Sequence, residues 1–199
     1  LRRKAEGGKV AWLIVTSISE EHGWSTGRIE QRQNEIDKIA ELYGFDEVFS
    51  LNFPTTRLDT IPMADLIAAI SGVFQVFNPD EVFVPNASDI HTDHRVVFDA
   101  VAGCTKWFRY PSVKRVLAYE TLSETDFGLN PDRQFCPNVF VNIESFLEDK
   151  LRAMDIYASE VAAFPFPRSH TAIRALAALR GVASGFVAAE AFELLRERS

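Results

Sequence analysis

Residues 81–94 read EVFVPNASDIHTDH and contain the transition that decides the fold. The first four residues form a short apolar run that is typical of a buried strand. The polar stretch NASDIHTDH follows as a loop, and helical spacing of apolar residues resumes in RVVFDAVAGCTKWF. A strand, a loop and a helix in this order form one step of a parallel α/β sheet.

The same order recurs along the chain. Apolar runs of strand length lie at residues 9–16, 47–51, 81–84, 113–119 and 138–143. Helical spacing is found at residues 26–43, 61–77, 95–108, 145–158 and 169–196. The last of these helices contains Gly181 and Gly185, at which it could break. This alternation predicts an α/β fold with a mostly parallel sheet, and residues 1–199 are expected to form a single domain.

The composition is that of a folded domain and disfavours several classes of protein. A chain of 199 residues with 47% hydrophobic content is long enough for one well-packed core. Its net charge of −7 disfavours non-specific binding to nucleic acid, and no apolar run approaches the roughly 20 residues that span a bilayer. Cys104 and Cys136 lack CxxC spacing, so we expect a reduced, cytoplasmic protein without structural disulfides.

The first residues have the pattern of a helix end. LRRKAE at residues 1–6 carries basic side chains that suit the C-terminal end of a helix dipole, and Gly7-Gly8 supplies a terminating glycine. We therefore expect further sequence upstream of Leu1.

The polar loop after the third strand is the candidate site, because ligands bind beyond the carboxyl ends of parallel strands. His91 and His94 are three residues apart, so both rings could face one cleft if this segment has entered the helix. Imidazole is a common zinc ligand, and Asp89 or Asp93 could fix the tautomer of a ring and raise its basicity. The alternative is a polar loop in which Asp89 or Thr92 caps the helix.

Other catalytic and binding motifs are absent from the sequence. There is no GxGxxG, P-loop or GxSxG pattern, and basic and aromatic residues do not alternate along any stripe that would bind nucleic acid. His22 and His170 are isolated and are expected to be exposed loop residues. HTDH therefore remains the candidate for chemistry.

The chain resembles the LmbE-like, or PIG-L, family of zinc-dependent N-deacetylases along nearly its whole length. The resemblance rests on LRRKAEGGKVAWLIVTS, RQNE, LNFPTTRLDTIP, SDIHTDHRVV, KLRAMDIYASE and RALAALRGVASGFVAAEAFELLR. It implies a Rossmann-like three-layer α/β sandwich, a zinc cofactor and a small-molecule substrate. The implied reaction is hydrolysis of an acetyl group from the amide nitrogen of an N-acetylglucosamine-type sugar or glycoconjugate.

The resemblance also implies roles for individual residues. The family's second motif matches His91-Thr92-Asp93-His94, with Thr where many relatives have Pro. By this match, His94 is expected to bind zinc. His91 is expected to stabilise the oxyanion or protonate the leaving amine, with Asp93 as its orienting partner.

Two further residues fall where the family has substrate contacts, namely Arg32 and Asp59. Each has a structural alternative. Arg32 could form a helix-surface ion pair with Glu35, and Asp59 could cap the helix that begins near Ile61.

The family's first motif, Ala-His-Pro-Asp-Asp-Glu, is absent from the chain. In the family it supplies two zinc ligands and the general base, and it would lie just upstream of LRRKAEGGKV. Either the sequence is part of a longer protein, or the protein cannot hold zinc by the family's three-ligand scheme.

The second case would correspond to a catalytically inactive protein that binds a glycan or a glycosylated metabolite. A structural subunit in which HTDH only caps a helix is a third interpretation. The aromatic linker AFPFPR at residues 163–168 is a candidate contact surface for a homo-oligomer.

Overall fold

Helices and strands alternate along most of the chain, as the sequence predicts. The computed structural model describes residues 1–129 and 134–199. The helices are α1 (Arg2–Ala5), α2 (Thr26–Tyr43), α3 (Met63–Phe77), α4 (Thr92–Gly103), α5 (Leu147–Ile156) and α6 (His170–Val182). The strands are β1 (Ala11–Ser17), β2 (Glu47–Pro54), β3 (Glu81–Pro85), β4 (Arg115–Tyr119), β5 (Val139–Asn142) and β6 (Ala189–Glu197). The α/β class is confirmed.

One compact unit comprises Leu1–Thr55 and Asn142–Glu190. In this unit β1 and β2 pair in parallel, and α2 connects them. The Ser25 side chain accepts a backbone hydrogen bond at the start of α2, and Gly44 ends the helix with a left-handed φ of 61°. Strand, capped helix and parallel strand together form the crossover that the sequence predicts.

A second compact unit comprises Thr56–Val141 and Ala191–Ser199. Here β3 and β4 pair in parallel, and Pro85 lies opposite Tyr119 at their carboxyl ends. The order of the sheet is β3-β4-β6-β5, with β6 antiparallel to β4. The largest fully buried side chains of the described residues belong to this unit: Leu58, Leu66, Ile70, Val84, Asp89, Cys104 and Leu117.

The C-terminal segment corrects the prediction of one helix over residues 169–196. The helix ends at Val182, Gly185 takes a left-handed φ of 76°, and Ala189–Glu197 forms β6. Ala, Glu, Leu and Arg favour helices intrinsically, which is why the sequence pattern was misleading. Hydrogen bonding to β4 and burial of the alternate residues Ala189 and Ala191 override that preference.

The described residues also bear on several smaller expectations. Residues 2–5 form the short helix α1, and Gly7 follows it with a left-handed φ of 83°, as expected for a helix end at this point. Both cysteines are free thiols, with Cys104 buried and Cys136 exposed. Within residues 1–129 and 134–199, no helix is both long and apolar enough to cross a membrane. The single-domain organisation stays a prediction.

Candidate functional site

The HTDH segment lies where β3 passes into α4. The strand ends at Pro85, and α4 begins at Thr92. The segment therefore follows the carboxyl end of a strand in a parallel pair, which is the edge where α/β sheets bind ligands. His91 is the N-cap of α4, so the alternatives of Asp89 or Thr92 as the cap were wrong.

The imidazole ring of His94 is hydrogen-bonded through Nδ1 to a buried carboxylate. Its Nδ1 lies 2.7 Å from Oδ2 of Asp89, a residue that is only 1% exposed. A carboxylate offers only acceptors, so Nδ1 of His94 donates the proton of this hydrogen bond. The Nε2 atom of the neutral ring is then left with its lone pair, as a metal ligand requires.

His91 has the opposite arrangement. Its Nδ1 accepts a hydrogen bond of 3.2 Å from the backbone N–H of Asp93, so in the neutral ring Nε2 carries the proton. The rings of His91 and His94 stack, with centroids 5.0 Å apart and planes inclined by 21°. The motif thus has a lone pair on Nε2 of the His94 ring and an N–H on Nε2 of the His91 ring.

The Asp93 side chain anchors a neighbouring loop. Its carboxylate accepts hydrogen bonds from the backbone N–H groups of Thr56, at 2.6 Å, and Leu58, at 3.2 Å. Asp93 contacts His91 through its backbone N–H, whereas its buried carboxylate is turned to the 56–58 segment. Thr56 adopts a positive φ of 60°, a conformation that the anchored loop maintains.

Asp59 lies on this anchored loop and is exposed, within a short 3-10 turn from Leu58 to Thr60. Helix α3 begins later, at Met63, and its N-cap is Pro62. The alternative of Asp59 as the helix cap was therefore wrong. Its role as a substrate contact stays a prediction.

Arg32 belongs to the other unit and is already engaged by carboxylates. Its guanidinium pairs closely with Glu160, lies 3.6 Å from Glu35, and sits over the Tyr157 ring at 5.4 Å from the centroid. The structural alternative for Arg32, an ion pair with Glu35, is therefore present, although Glu160 is the closer partner. A substrate contact by Arg32 stays a prediction and would compete with Glu160.

Sequence reasoning missed the residues that support Asp89. The Thr125 hydroxyl donates a hydrogen bond of 2.7 Å to Oδ1 of Asp89, and it accepts one of 2.7 Å from the backbone N–H of Thr121. Thr125 lies in a short 3-10 turn, 36 residues along the chain from Asp89. No motif or periodic pattern marks that residue, so only the folded structure reveals the contact.

Tyr119 lies near the same carboxylate at the end of β4. Burial, together with the negative charge of Asp89, raises the pKa of Tyr119 to about 12. The phenol therefore stays neutral near pH 7 and cannot serve there as a base.

The donor set fits a zinc site only in part. Nε2 of His94 with Asp89 behind it has the arrangement of a zinc-binding imidazole that a carboxylate orients. Among the side chains of residues 1–129 and 134–199, however, no three His, Cys, Asp or Glu come together as ligands. The described residues therefore supply one suitable ligand and its support.

The model of the PIG-L family, described as GlcNAc-PI de-N-acetylase, matches residues 1–105 of the chain. The matched region is more than half of the sequence and contains the HTDH segment. The protein belongs to the PIG-L, or LmbE-like, family. No curated protein matches the chain significantly in sequence.

Solved structures show the same fold. The conserved protein TT1542 from Thermus thermophilus has a TM-score of 0.78 and 23% identity, over 100% of this chain and 86% of that one. The N,N'-diacetylchitobiose deacetylase from Pyrococcus horikoshii has a TM-score of 0.74 and 20% identity, over 98% of this chain and 76% of that one.

A third similar structure is GalB, the 4-carboxy-2-hydroxymuconate hydratase from Pseudomonas putida KT2440. Its TM-score is 0.71 at 16% identity, over 100% of this chain and 88% of that one. A deacetylase and a hydratase thus share this fold, so the reaction has to be argued from the site.

Proposed function

We propose that the protein is a metal-dependent hydrolase that removes the acetyl group from the amide nitrogen of an N-acetylglucosamine-type sugar or glycoconjugate. The observation that carries this proposal is the stacked pair His91 and His94 with opposite tautomers. Metal-dependent amide hydrolysis uses an electrophilic metal at the carbonyl, and a hydrogen-bond donor stabilises the oxyanion that forms. The pair offers one nitrogen suited to each task.

His94 would hold zinc through Nε2. The Asp89 carboxylate fixes the orientation and the tautomer of the ring, so that the lone pair lies on Nε2. When bound, zinc supplies Lewis acidity at the acetamide carbonyl. The other ligands and the general base are expected from the family's first motif, which the sequence does not contain.

His91 would stabilise the developing negative charge on the carbonyl oxygen. Its Nε2–H is the free donor of the ring, because Nδ1 is occupied by the backbone N–H of Asp93. A fixed donor costs little reorganisation when charge develops, which is the reason such groups lower the barrier. If the same ring instead protonates the leaving amine from Nε2, Nδ1 must also carry a proton, and the hydrogen bond from the Asp93 N–H must first be released.

The substrate would be positioned by the loop that Asp93 anchors. Asp59 is exposed on this loop and would accept hydrogen bonds from sugar hydroxyls. Arg32 would contact substrate only after exchanging its contact with Glu160. The cytoplasmic location and the homo-oligomer stay predictions. In the AFPFPR linker, the candidate contact surface of such an oligomer, Phe164 is 65% exposed.

The experiment that tests this function is acetate release from N-acetylglucosamine conjugates by the complete gene product. We expect release that a chelator abolishes and added zinc restores. The control variant is His170→Ala, which removes a surface histidine paired with Asp155 and should release acetate like the wild type. No release from any conjugate, with or without zinc, would contradict the proposed reaction.

An inactive glycan-binding protein is the second candidate. It is favoured by the lack of a three-ligand cluster within the described ranges 1–129 and 134–199. Saturable binding of an N-acetylated sugar without acetate release, unaffected by zinc, would support it over the enzyme.

A further inference from the structure

A hydrogen-bond chain runs from a second segment of the protein to His94. It passes from the backbone N–H of Thr121 to the Thr125 hydroxyl, on to Oδ1 of Asp89, and from Oδ2 of Asp89 to Nδ1 of His94. Each of the three donor–acceptor distances is 2.7 Å. Thr125 therefore connects to the proposed metal ligand through one side chain.

The direction of every bond in this chain is fixed by chemistry. A backbone N–H can only donate, so the Thr125 oxygen accepts from Thr121, and its own proton is free for Asp89. A carboxylate only accepts, so Oδ1 takes the Thr125 proton and Oδ2 takes the proton on Nδ1 of His94. The nearly complete burial of Asp89 leaves water little access to replace these partners.

The segment that carries Thr125 is held against the site loop by further contacts. The backbone N–H of Ile90 donates to the carbonyl of Glu124 at 3.2 Å. A Cβ atom on Gly128 would overlap the carbonyl oxygen of Ser88, so only glycine permits this close approach. Because the two segments touch at both places, the position of the Thr125 hydroxyl is set by the fold.

We propose that Thr125 is a positioning residue that, through Asp89, fixes His94 in the tautomer with the proton on Nδ1 and the lone pair on Nε2. The proposal rests on the proposed function only in giving that lone pair a metal to bind. Without the hydroxyl, Oδ1 of Asp89 loses its donor and the carboxylate is free to rotate, so the Nδ1 bond of His94 weakens. The ring then samples the other tautomer, which has no lone pair on Nε2.

The test is the tautomer of His94 in the full chain after metal removal, read from long-range ¹H–¹⁵N correlations of labelled histidine at neutral pH. We expect the Nδ1–H tautomer in the wild type and in Thr125→Ser, which keeps the hydroxyl. Thr125→Val, which keeps the shape, should show a mixture of tautomers. Its zinc affinity should fall by about 10-fold, the lower end of the range for outer-shell partners.

Unchanged His94 signals in Thr125→Val would overturn the proposal. It would also be overturned if Thr125→Ser shifted the His94 signals as much as Thr125→Val does. If Thr125→Val does not fold, the wild type decides through the Thr125 hydroxyl proton. That proton should exchange slowly with water and give a cross-peak to the Thr121 amide. Rapid exchange would contradict the series of hydrogen bonds from Thr121 to His94. Zinc that binds without involving His94 would refute the proposed function and leave the tautomer result intact.

Discussion

Nδ1 of His94 donates a 2.7 Å hydrogen bond to Oδ2 of Asp89, a residue that is only 1% exposed. The stacked neighbour, His91, instead uses Nδ1 as an acceptor at the start of α4. The two rings of one short motif thus carry opposite tautomers, and the proposed roles of His94 as metal ligand and His91 as hydrogen-bond donor rest on that difference.

Asp89→Asn should weaken zinc binding. The substitution keeps the shape of the side chain but removes the charge that favours the donor state of Nδ1. We expect zinc affinity to fall roughly 10- to 100-fold, as for other outer-shell partners of histidine ligands. Asp99→Asn, an exposed change on α4, is the control and should leave affinity unchanged. Competition with a fluorescent chelator measures both, and equal affinities would refute the support role of Asp89.

His91→Asn should separate capping from catalysis. Asn is a good N-cap, so α4 should stay intact, whereas His91→Ala should lose about 1 kcal/mol of unfolding free energy with the cap. Both variants lack the Nε2–H donor, so turnover should fall about 10²- to 10³-fold with zinc content retained. Acetate release, zinc content and denaturant unfolding are measured on each. Near-normal turnover in His91→Asn would contradict a catalytic role for His91.

Asp93→Ala should destabilise the fold by about 2–4 kcal/mol, because it leaves two backbone N–H groups, those of Thr56 and Leu58, without their acceptor. Asp93→Asn retains one acceptor oxygen and should cost less. Asp99→Ala serves as the exposed control on the same helix. Urea unfolding measures the change, and a loss below about 0.5 kcal/mol, typical of surface positions, would show that the anchor is unimportant.

Local patterns predicted much of this site. The apolar run of β3, the polar loop and the helical spacing that follows are all encoded within residues 81–103, so their order could be predicted from neighbouring residues alone. The placement of HTDH at a strand's carboxyl end followed from that order. The cap was mispredicted because Asp and Thr are commoner caps than His, and only the fold shows Asp89 turned toward His94.

Long-range contacts account for what was missed. β6 was predicted to be helical because its residues favour helices, whereas pairing with β4, a strand distant in sequence, makes it a strand. Thr125 carries no sequence signal, since its contact with Asp89 joins two segments 36 residues apart. Arg32 matched a family position, but its engagement by Glu160 spans 128 residues and could not be predicted from α2.

Tyr119 should contribute to a loss of stability in alkali. Its pKa is raised by burial and by Asp89 to about 12, above the value of about 10 for an unfolded tyrosine. Its contribution is therefore fully present below about pH 10 and is lost as the pH rises through about 12. The two-unit difference corresponds to about 2–3 kcal/mol.

Tyr119→Phe should accordingly retain that share of unfolding free energy between about pH 10 and 12. At about pH 8 Tyr119 is neutral in both the folded and the unfolded wild type. The difference in unfolding free energy between the two proteins at that pH is therefore due to packing alone. The wild type should then lose more stability than Tyr119→Phe as the pH rises. Parallel alkaline losses in the two proteins would contradict the assignment.

The central claim is that His94 binds the catalytic metal, and the zinc content of the complete gene product tests it most directly. Elemental analysis should find stoichiometric zinc in the wild type and in the surface control His170→Ala, and little in His94→Ala. Circular dichroism verifies that each variant is folded. Zinc retained at the wild-type level by folded His94→Ala would contradict the account.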